Sequence, residues 1–390
     1  MTAPVLEEAR AHMVALAEEL TQSGAIRSPQ WAEAFTTTPR HLFVPRWYKQ
    51  ETDARGIAVW RMQQTLHEGQ LPLVYRDETL VTALDPKTAE RVDATAWTGV
   101  ATSSSTQPSL MAGMLEDLCV GDGQRVLEVG TGTGYNAALL CARLGGHLVH
   151  SVDIDPALVL SARGRLAKLG HAPHLASGDG QDGCPTGERF DRIISTCSVP
   201  RIPDAWIEQT KPGGSILTDL ALGIEGGLVN LAVHDGGARG HFSRTSGRFM
   251  PARRWAKTYT QRDRAPYAPE TEARPTTVTA ADIRSHYPFR LLLAFTLPEA
   301  ELVYHLDDYG SMAIQLQLSD GTWARTPLAP DDPTVTYGGA AELWELVEEA
   351  WAWWNSQNRP GHTRYGITRT PDGRLYAWYA PDGRRWELSA

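Results

Sequence analysis

Residues 125–140, RVLEVGTGTGYNAALL, set an apolar run against Gly130, Gly132 and Gly134 and then take helical spacing. A strand, a glycine turn and a helix let the backbone come close to a ligand in the crevice at the carboxyl ends of the strands. Acidic side chains recur at this level of the chain. Glu128 stands two residues before the first glycine, Asp153 ends the run VHSVD, and Asp179 lies in SGDGQ. A dinucleotide site wants G-x-G-x-x-G and lays a pyrophosphate on the helix N-terminus. Here the spacing is G-x-G-x-G, and a carboxylate at Glu128 would repel a pyrophosphate.

That carboxylate suits the amino group of a cationic amino-acid moiety. A carboxylate at Asp153 can accept both hydroxyls of a ribose, and one at Asp179 can meet an adenine amino group. Together the three acids point to S-adenosylmethionine, released after transfer as S-adenosylhomocysteine. Capping of the following turns is the competing use of Asp153 and Asp179.

The elements that position these residues alternate in type. RVLEVG, HLVHSVDI, PHLASGD, FDRIISTC and GGSILTDLAL read as strands; 108–118, 135–144, 156–169 and 203–210 read as helices. Asp155 caps the third of these helices and Gly170 ends it. Such alternation means a parallel sheet covered on both faces by right-handed crossovers. Upstream, 5–21 reads as a helix with Val5, Ala9, Met13, Leu16 and Leu20 on one face, and 29–36 as a second. TPRHLFVPRWY, 38–48, reads as extended, and YRDETLVT, 75–82, as a short strand. RDRAPYAPETEARPTTVT reads as a linker. Beyond it RLLLAFTL, ELVYHL and MAIQLQLSDGTWART suggest antiparallel strands, 340–355 a helix, and the end a three-stranded meander turning at 371–373 and 381–383.

Composition narrows the function classes. A chain of 390 residues is long enough for two or three domains. A formal net charge of −9 argues against a nucleic-acid footprint. Cys119, Cys141, Cys184 and Cys197 form no CxxC pair, and no histidine cluster has metal spacing, so no metal is expected and the cysteines read as small core residues. No apolar run is long enough to span a membrane, and the acidic N-terminus is not a signal peptide. A cytoplasmic protein is expected, with neither nucleic acid nor membrane as partner; the net charge leaves a charged peptide substrate open.

Several motifs in order resemble the protein-L-isoaspartate O-methyltransferase family over residues 38–215. They are PRHLFVP, YRDETLVT, STQPSLMAGMLEDL, VLEVGTGTGY, VDID, GDGQDG and FDRIISTCSVPRIPDAWIEQTKPGG, the last with Pro200 and Pro203 before a Lys-Pro-Gly-Gly turn. The resemblance implies an α/β fold: a Rossmann-like S-adenosylmethionine-dependent methyltransferase core with an added α+β C-terminal domain. The boundaries read as 1–100, an N-terminal helical and extended segment; 101–245, the core; and 246–390, an extension for substrate recognition. Expected cofactor contacts are Ser104, Ser105, Glu128, Gly130, Thr131, Gly132, Tyr135, Asp153, Ile154, Asp179 and Gly180. The reaction implied is methylation of a carboxylate. A carboxylate has a reference pKa near 4, so it is already a nucleophile at neutral pH and needs no general base. Alignment with the methyl group can supply much of the barrier reduction, and the family holds the carboxylate with a serine hydroxyl.

Two departures stand out. The serine position is Thr106, which keeps the hydroxyl and adds a methyl group. The chain also runs on well past the core, with Trp344, Trp351, Trp353, Trp354, Trp378 and Trp386 in that extension, either a second core or an aromatic wall gripping a peptide. Extended relatives of this kind look like the methyltransferases that tailor ribosomal lanthipeptides, lasso peptides and graspetides. That likeness implies methylation of a normal aspartate in a constrained macrocycle. The neighbouring amide nitrogen then displaces methanol to give aspartimide, which persists or hydrolyses to isoaspartate. Repair of isoaspartyl residues in damaged proteins is the alternative.

Overall fold

The computed structural model describes residues 3–53, 56–67, 69–254, 267–270, 273–307, 310–328 and 333–388. Parts of the linker reading (262–266 and 271–272) lie outside the described residues, as does the side chain of Val5. The chain divides into two compact units, Met1–Cys197 with Pro203–Leu217 and Thr245–Met250, and Ser198–Ile202 with Thr218–Arg244 and Pro251–Ala390. Residues 1–100 thus fall in one unit with the glycine loop, and 218–244 fall with the carboxyl-terminal region, where composition alone divides the chain differently.

The first unit opens with helices α1 (Ala3–Gln22) and α2 (Pro29–Thr37) and has two single turns, α3 (Arg40–Phe43) and α4 (Leu71–Val74). Residues 38–48 are therefore extended only from Arg46. Arg40 and His41 are both buried and hydrogen-bonded, which a helical turn permits and a strand pointing them to opposite faces would not. Strands β1 (Arg46–Thr52), β2 (Ala58–Gln64), β3 (Leu80–Leu84), β4 (Ala96–Trp97) and β5 (Ala101–Ser105) form an antiparallel sheet in the order β4-β2-β1-β3-β5. Of 75–82, only the part from Leu80 is strand, because the preceding carbonyls turn toward Arg40 instead of a ladder.

Helix α5 (Pro108–Asp117) follows, with Pro108 where a missing N–H costs nothing. Then come β6 (Val126–Val129), α6 (Tyr135–Leu144), β7 (Val149–Asp153), α7 (Pro156–Ala167), β8 (His174–Ser177), β9 (Phe190–Val199), α8 (Asp204–Gln209) and β10 (Thr210–Ala221), whose residues 210–217 belong to this unit. β9, β6, β7 and β8 pair in parallel in that order. Every residue of β6 and β7 is buried, as a parallel sheet covered on both faces requires. The Asp155 side chain accepts from Ala157 N at 2.9 Å and caps α7 as its sequence position suggests.

The second unit is α+β. β11 (Gly226–His234) and β12 (Gly237–Phe242) form a hairpin, and β12 pairs with the closing meander β18 (Tyr365–Arg369), β19 (Leu375–Tyr379) and β20 (Arg384–Leu388). A second antiparallel sheet orders β13 (Arg274–Pro275), β17 (Thr334–Gly338), β16 (Trp323–Pro327), β15 (Met312–Gln317) and β14 (Glu301–Leu306). RLLLAFTL is not a strand: it lies in the helix Tyr287–Thr296, where residues 291–295 are all buried. A short apolar run has no diagnostic period, and leucine favours helix once the segment is surrounded on all sides.

The tryptophans of this unit are mainly core. Trp344 and Trp354 on the helix Glu342–Ser356, and Trp378 and Trp386 on the meander, are all less than 10% exposed. On the helix the indole N–H groups find partners, Trp344 donating to Thr276 Oγ1 at 2.8 Å and Trp354 to the Pro360 carbonyl at 3.1 Å, whereas Trp378 Nε1 has none among the described residues. Of the six tryptophans singled out in the sequence, the half-buried Trp351 and Trp353 are what remains for an aromatic wall open to peptide. All four cysteines are free; Cys141 and Cys184 are buried, but Cys119 is exposed, against the core reading. Among the described residues no helix is long and apolar enough to cross a membrane.

Candidate functional site

The glycine loop is built by backbone geometry that side chains resist. Gly130, Gly132 and Gly134 have φ of 100°, 51° and 86°, in the left-handed half of the map. Space excludes larger residues at two of them. A Cβ at Gly130 would come within 2.5 Å of Thr196 Oγ1, and one at Gly134 within 2.9 Å of the Ala162 methyl. Thr196 is on β9 and its hydroxyl donates to the Gly130 carbonyl at 2.8 Å. From α7, Arg165 donates to the Thr133 carbonyl at 2.9 Å. The loop is thus fixed from a neighbouring strand and a neighbouring helix.

The three acids take different roles. The Asp153 carboxylate ends β7 and folds back on the loop, accepting from Gly132 N at 2.8 Å and Asp155 N at 3.0 Å. Beside it Ile154 is 42% exposed, an apolar side chain held at the open end of the strand. Asp179 follows β8 and accepts from Gln181 N at 3.0 Å, while the next carbonyl, Gly180, accepts from Trp206 Nε1 at 2.7 Å. A Cβ at Gly180 would lie 2.4 Å from Val129, so this turn is pressed against β6.

Glu128 is fully buried. Parallel register sets it beside Ser151, whose hydroxyl donates to Oε2 at 2.5 Å, and Asn136 Nδ2 donates to Oε1 at 2.8 Å. Ser151 also bonds Thr131 Oγ1 at 2.6 Å. What stands behind the loop is therefore a closed network of Glu128, Asn136, Ser151 and Thr131 rather than a free carboxylate. Burial pushes the Glu128 pKa up to about 7; Asp153 adds to the rise, and the bonds from Ser151 and Asn136 oppose it. Tyr135 is buried too, its ring packed 5.8 Å from that of Phe43 and 6.4 Å from that of Phe35. Its place is in the core beneath the loop.

Ser103, Ser104, Ser105 and Thr106 come from a strand end and not from a flexible loop. β5 carries the serines, with Ser103 and Ser105 buried. A Cβ at Gly132 would lie 3.8 Å from Ser103 Oγ and 3.9 Å from the Ser104 carbonyl, so β5 ends against the glycine loop. Thr106 follows, half-buried. Among the described residues its hydroxyl has no hydrogen-bond partner, which leaves it available to a ligand.

The residues that hold Thr106 had no assigned role in the sequence. Arg40 is fully buried and its guanidinium donates to backbone on two sides. Nη1 reaches the Val74 and Arg76 carbonyls at 2.8 and 3.0 Å; Nη2 reaches those of Glu78, Ser105 and Thr106 at 2.9, 3.2 and 3.1 Å. Nε reaches Ser105 Oγ at 3.3 Å. Just past Thr106, Thr79 Oγ1 accepts from Gln107 N at 3.1 Å, and Asp77 accepts from Ser109 N at 2.7 Å and Gln107 Nε2 at 3.0 Å. PRHLFVP and YRDETLVT thus converge on one turn. The only sequence signal was the motifs' place in the resemblance.

The arrangement fits an adenosyl amino acid. A glycine turn with room at Gly132, an acid at each of two strand ends and an exposed apolar side chain between them match a ribose, an adenine and a short cationic tail better than a pyrophosphate. Among the described residues no group of three or more His, Cys, Asp or Glu could hold a metal ion.

Comparison with known proteins agrees with this geometry. Residues 86–252 match the family model described as protein-L-isoaspartate(D-aspartate) O-methyltransferase. A protein-L-isoaspartate O-methyltransferase of Thermococcus onnurineus is 33% identical over 202 residues, 51% of this chain and 74% of the relative. One of Anaeromyxobacter dehalogenans is 48% identical over 114 residues, 29% of this chain, and there the match spans only 54% of the relative's length. A solved structure titled protein-L-isoaspartate O-methyltransferase superposes with a TM-score of 0.53 at 22% identity, covering 94% of this chain and 99% of that one, a likeness of fold. By the Thermococcus match above all, the chain belongs to the protein-L-isoaspartate O-methyltransferase family.

Proposed function

We propose that this chain is an S-adenosylmethionine-dependent carboxyl O-methyltransferase acting on an aspartyl-type side chain in a peptide. One observation carries the reading: β5 ends against Gly132, so the free hydroxyl of Thr106 follows directly on residues that touch the glycine loop. The cofactor, when bound, supplies an electrophilic methyl group. Asp153 and Asp179 would hold its ribose and adenine, with Ile154 against the ring. The network behind the loop keeps Gly130, Gly132 and Thr131 in place. Thr106 donates its hydroxyl to one carboxylate oxygen of the substrate and orients the other toward the methyl group. No residue has to remove a proton, because the nucleophile is ionised before it binds.

The finer reading is methylation of a normal aspartate in a constrained ribosomal peptide, leading to aspartimide or isoaspartate. Threonine at the serine position and the added α+β unit support it. Repair of isoaspartyl residues is the second reading, supported by the names of the relatives and by a solved methyltransferase whose fold extends over nearly the whole chain. Mass spectrometry decides between them. The protein is incubated with S-adenosylmethionine and either a linear isoaspartyl peptide or a macrocyclic precursor peptide encoded beside it. Methyl gain followed by methanol loss on the macrocycle alone supports the first reading; turnover of the linear isoaspartyl peptide alone replaces it with repair.

A further inference from the structure

A fully buried guanidinium with no carboxylate partner is expensive to keep, and a packed apolar side chain of similar size would often serve stability better. Arg40 is such a group: among the described residues every acceptor it reaches is a backbone carbonyl or the Ser105 hydroxyl. Those acceptors are not scattered. Three belong to the 74–78 turn, and the rest to the two residues that end β5 and begin the turn into α5. The same guanidinium lies 6.0 Å from the ring centre of Tyr135, the first residue of the helix that leaves the glycine loop. One planar fork therefore ties the Thr106 backbone to the wall beneath the cofactor loop.

We infer that Arg40 is a positioning residue for methyl transfer, its fork holding the Ser105 and Thr106 carbonyls so that the Thr106 hydroxyl meets the substrate carboxylate. The inference rests on the function proposed above. It is a role of geometry and not of charge alone. An ammonium cannot span acceptors on two sides as a guanidinium does. A reacting group displaced by about 1 Å loses on the order of 100-fold in rate.

The test compares wild type with Arg40→Lys and Thr79→Val. Thr79 is exposed and releases the same turn from its other side, at Gln107 N, so that variant folds even if the arginine variant does not. Cofactor affinity is read by calorimetry, kcat and KM on whichever peptide the wild type methylates, and hydrogen exchange at the Gln107 amide. The expected result is faster Gln107 exchange and unchanged cofactor affinity in both variants. kcat should fall roughly 100-fold in Arg40→Lys and about tenfold in Thr79→Val, with KM changing less. An active wild type beside variants of equal kcat overturns the positioning role alone. A wild type that methylates no peptide carboxyl overturns the underlying function, and this role with it.

Discussion

Replacing Glu128 by glutamine separates the stability cost of the buried acid from its use. The carboxyl is fully buried and its pKa is raised from 4.5 to about 7. Between those values the unfolded chain has lost the proton while the folded chain retains it. The folded state binds more protons there, so stability falls as pH rises from 4.5 to about 7 and is flat above. A shift of this size corresponds to roughly 3 kcal/mol lost across the window. Glu128→Gln removes the titration. The amide oxygen still accepts from Asn136, and the Ser151 hydroxyl can turn to accept from the new amide while donating to Thr131. Urea denaturation at about pH 5 and about pH 8 should show the variant gaining roughly 2–3 kcal/mol on wild type between the two, the part of the window that this pH range covers. Parallel pH profiles for the two proteins would refute the reasoning about burial.

Thr106→Val should abolish methyl transfer while leaving cofactor affinity within about twofold, since it removes one hydroxyl and keeps the shape; turnover near normal would take Thr106 out of the mechanism. Gly134→Ala meets both a φ of 86° and a contact of 2.9 Å with Ala162, and should cost about 2–4 kcal/mol in urea denaturation and weaken cofactor binding. Trp344→Ala removes a fully buried indole from the second unit and its bond to Thr276; thermal unfolding should show a loss of about 3–5 kcal/mol, whereas a neutral effect would return that residue to a recognition role.

The glycine loop and the strand-end places of Asp153 and Asp179 were legible because their signals are local. Positive φ demands glycine, strand and helix periods differ, and Asp153 and Asp179 sit where strands end. Thr106 was legible by position only; that it follows a paired strand was not, since SSST has no apolar alternation to mark β5. The helix Tyr287–Thr296 was misread because an apolar run buried on all sides carries no period. Arg40 was invisible in role because its partners are carbonyls 34 to 66 residues away, and a carbonyl has no sequence signature. Glu128 reads as a free acid until β7 places Ser151 beside it.

The most direct test of the central claim is the alkali stability of the transferred methyl group. The protein is given methyl-labelled S-adenosylmethionine and peptides carrying aspartyl or isoaspartyl residues, and the product is treated with mild base. A carboxyl methyl ester releases its label as methanol, and that release, absent in Thr106→Val, is the predicted result. Label that stays on the peptide in base, or no label although the cofactor binds, would contradict a carboxylate as the acceptor.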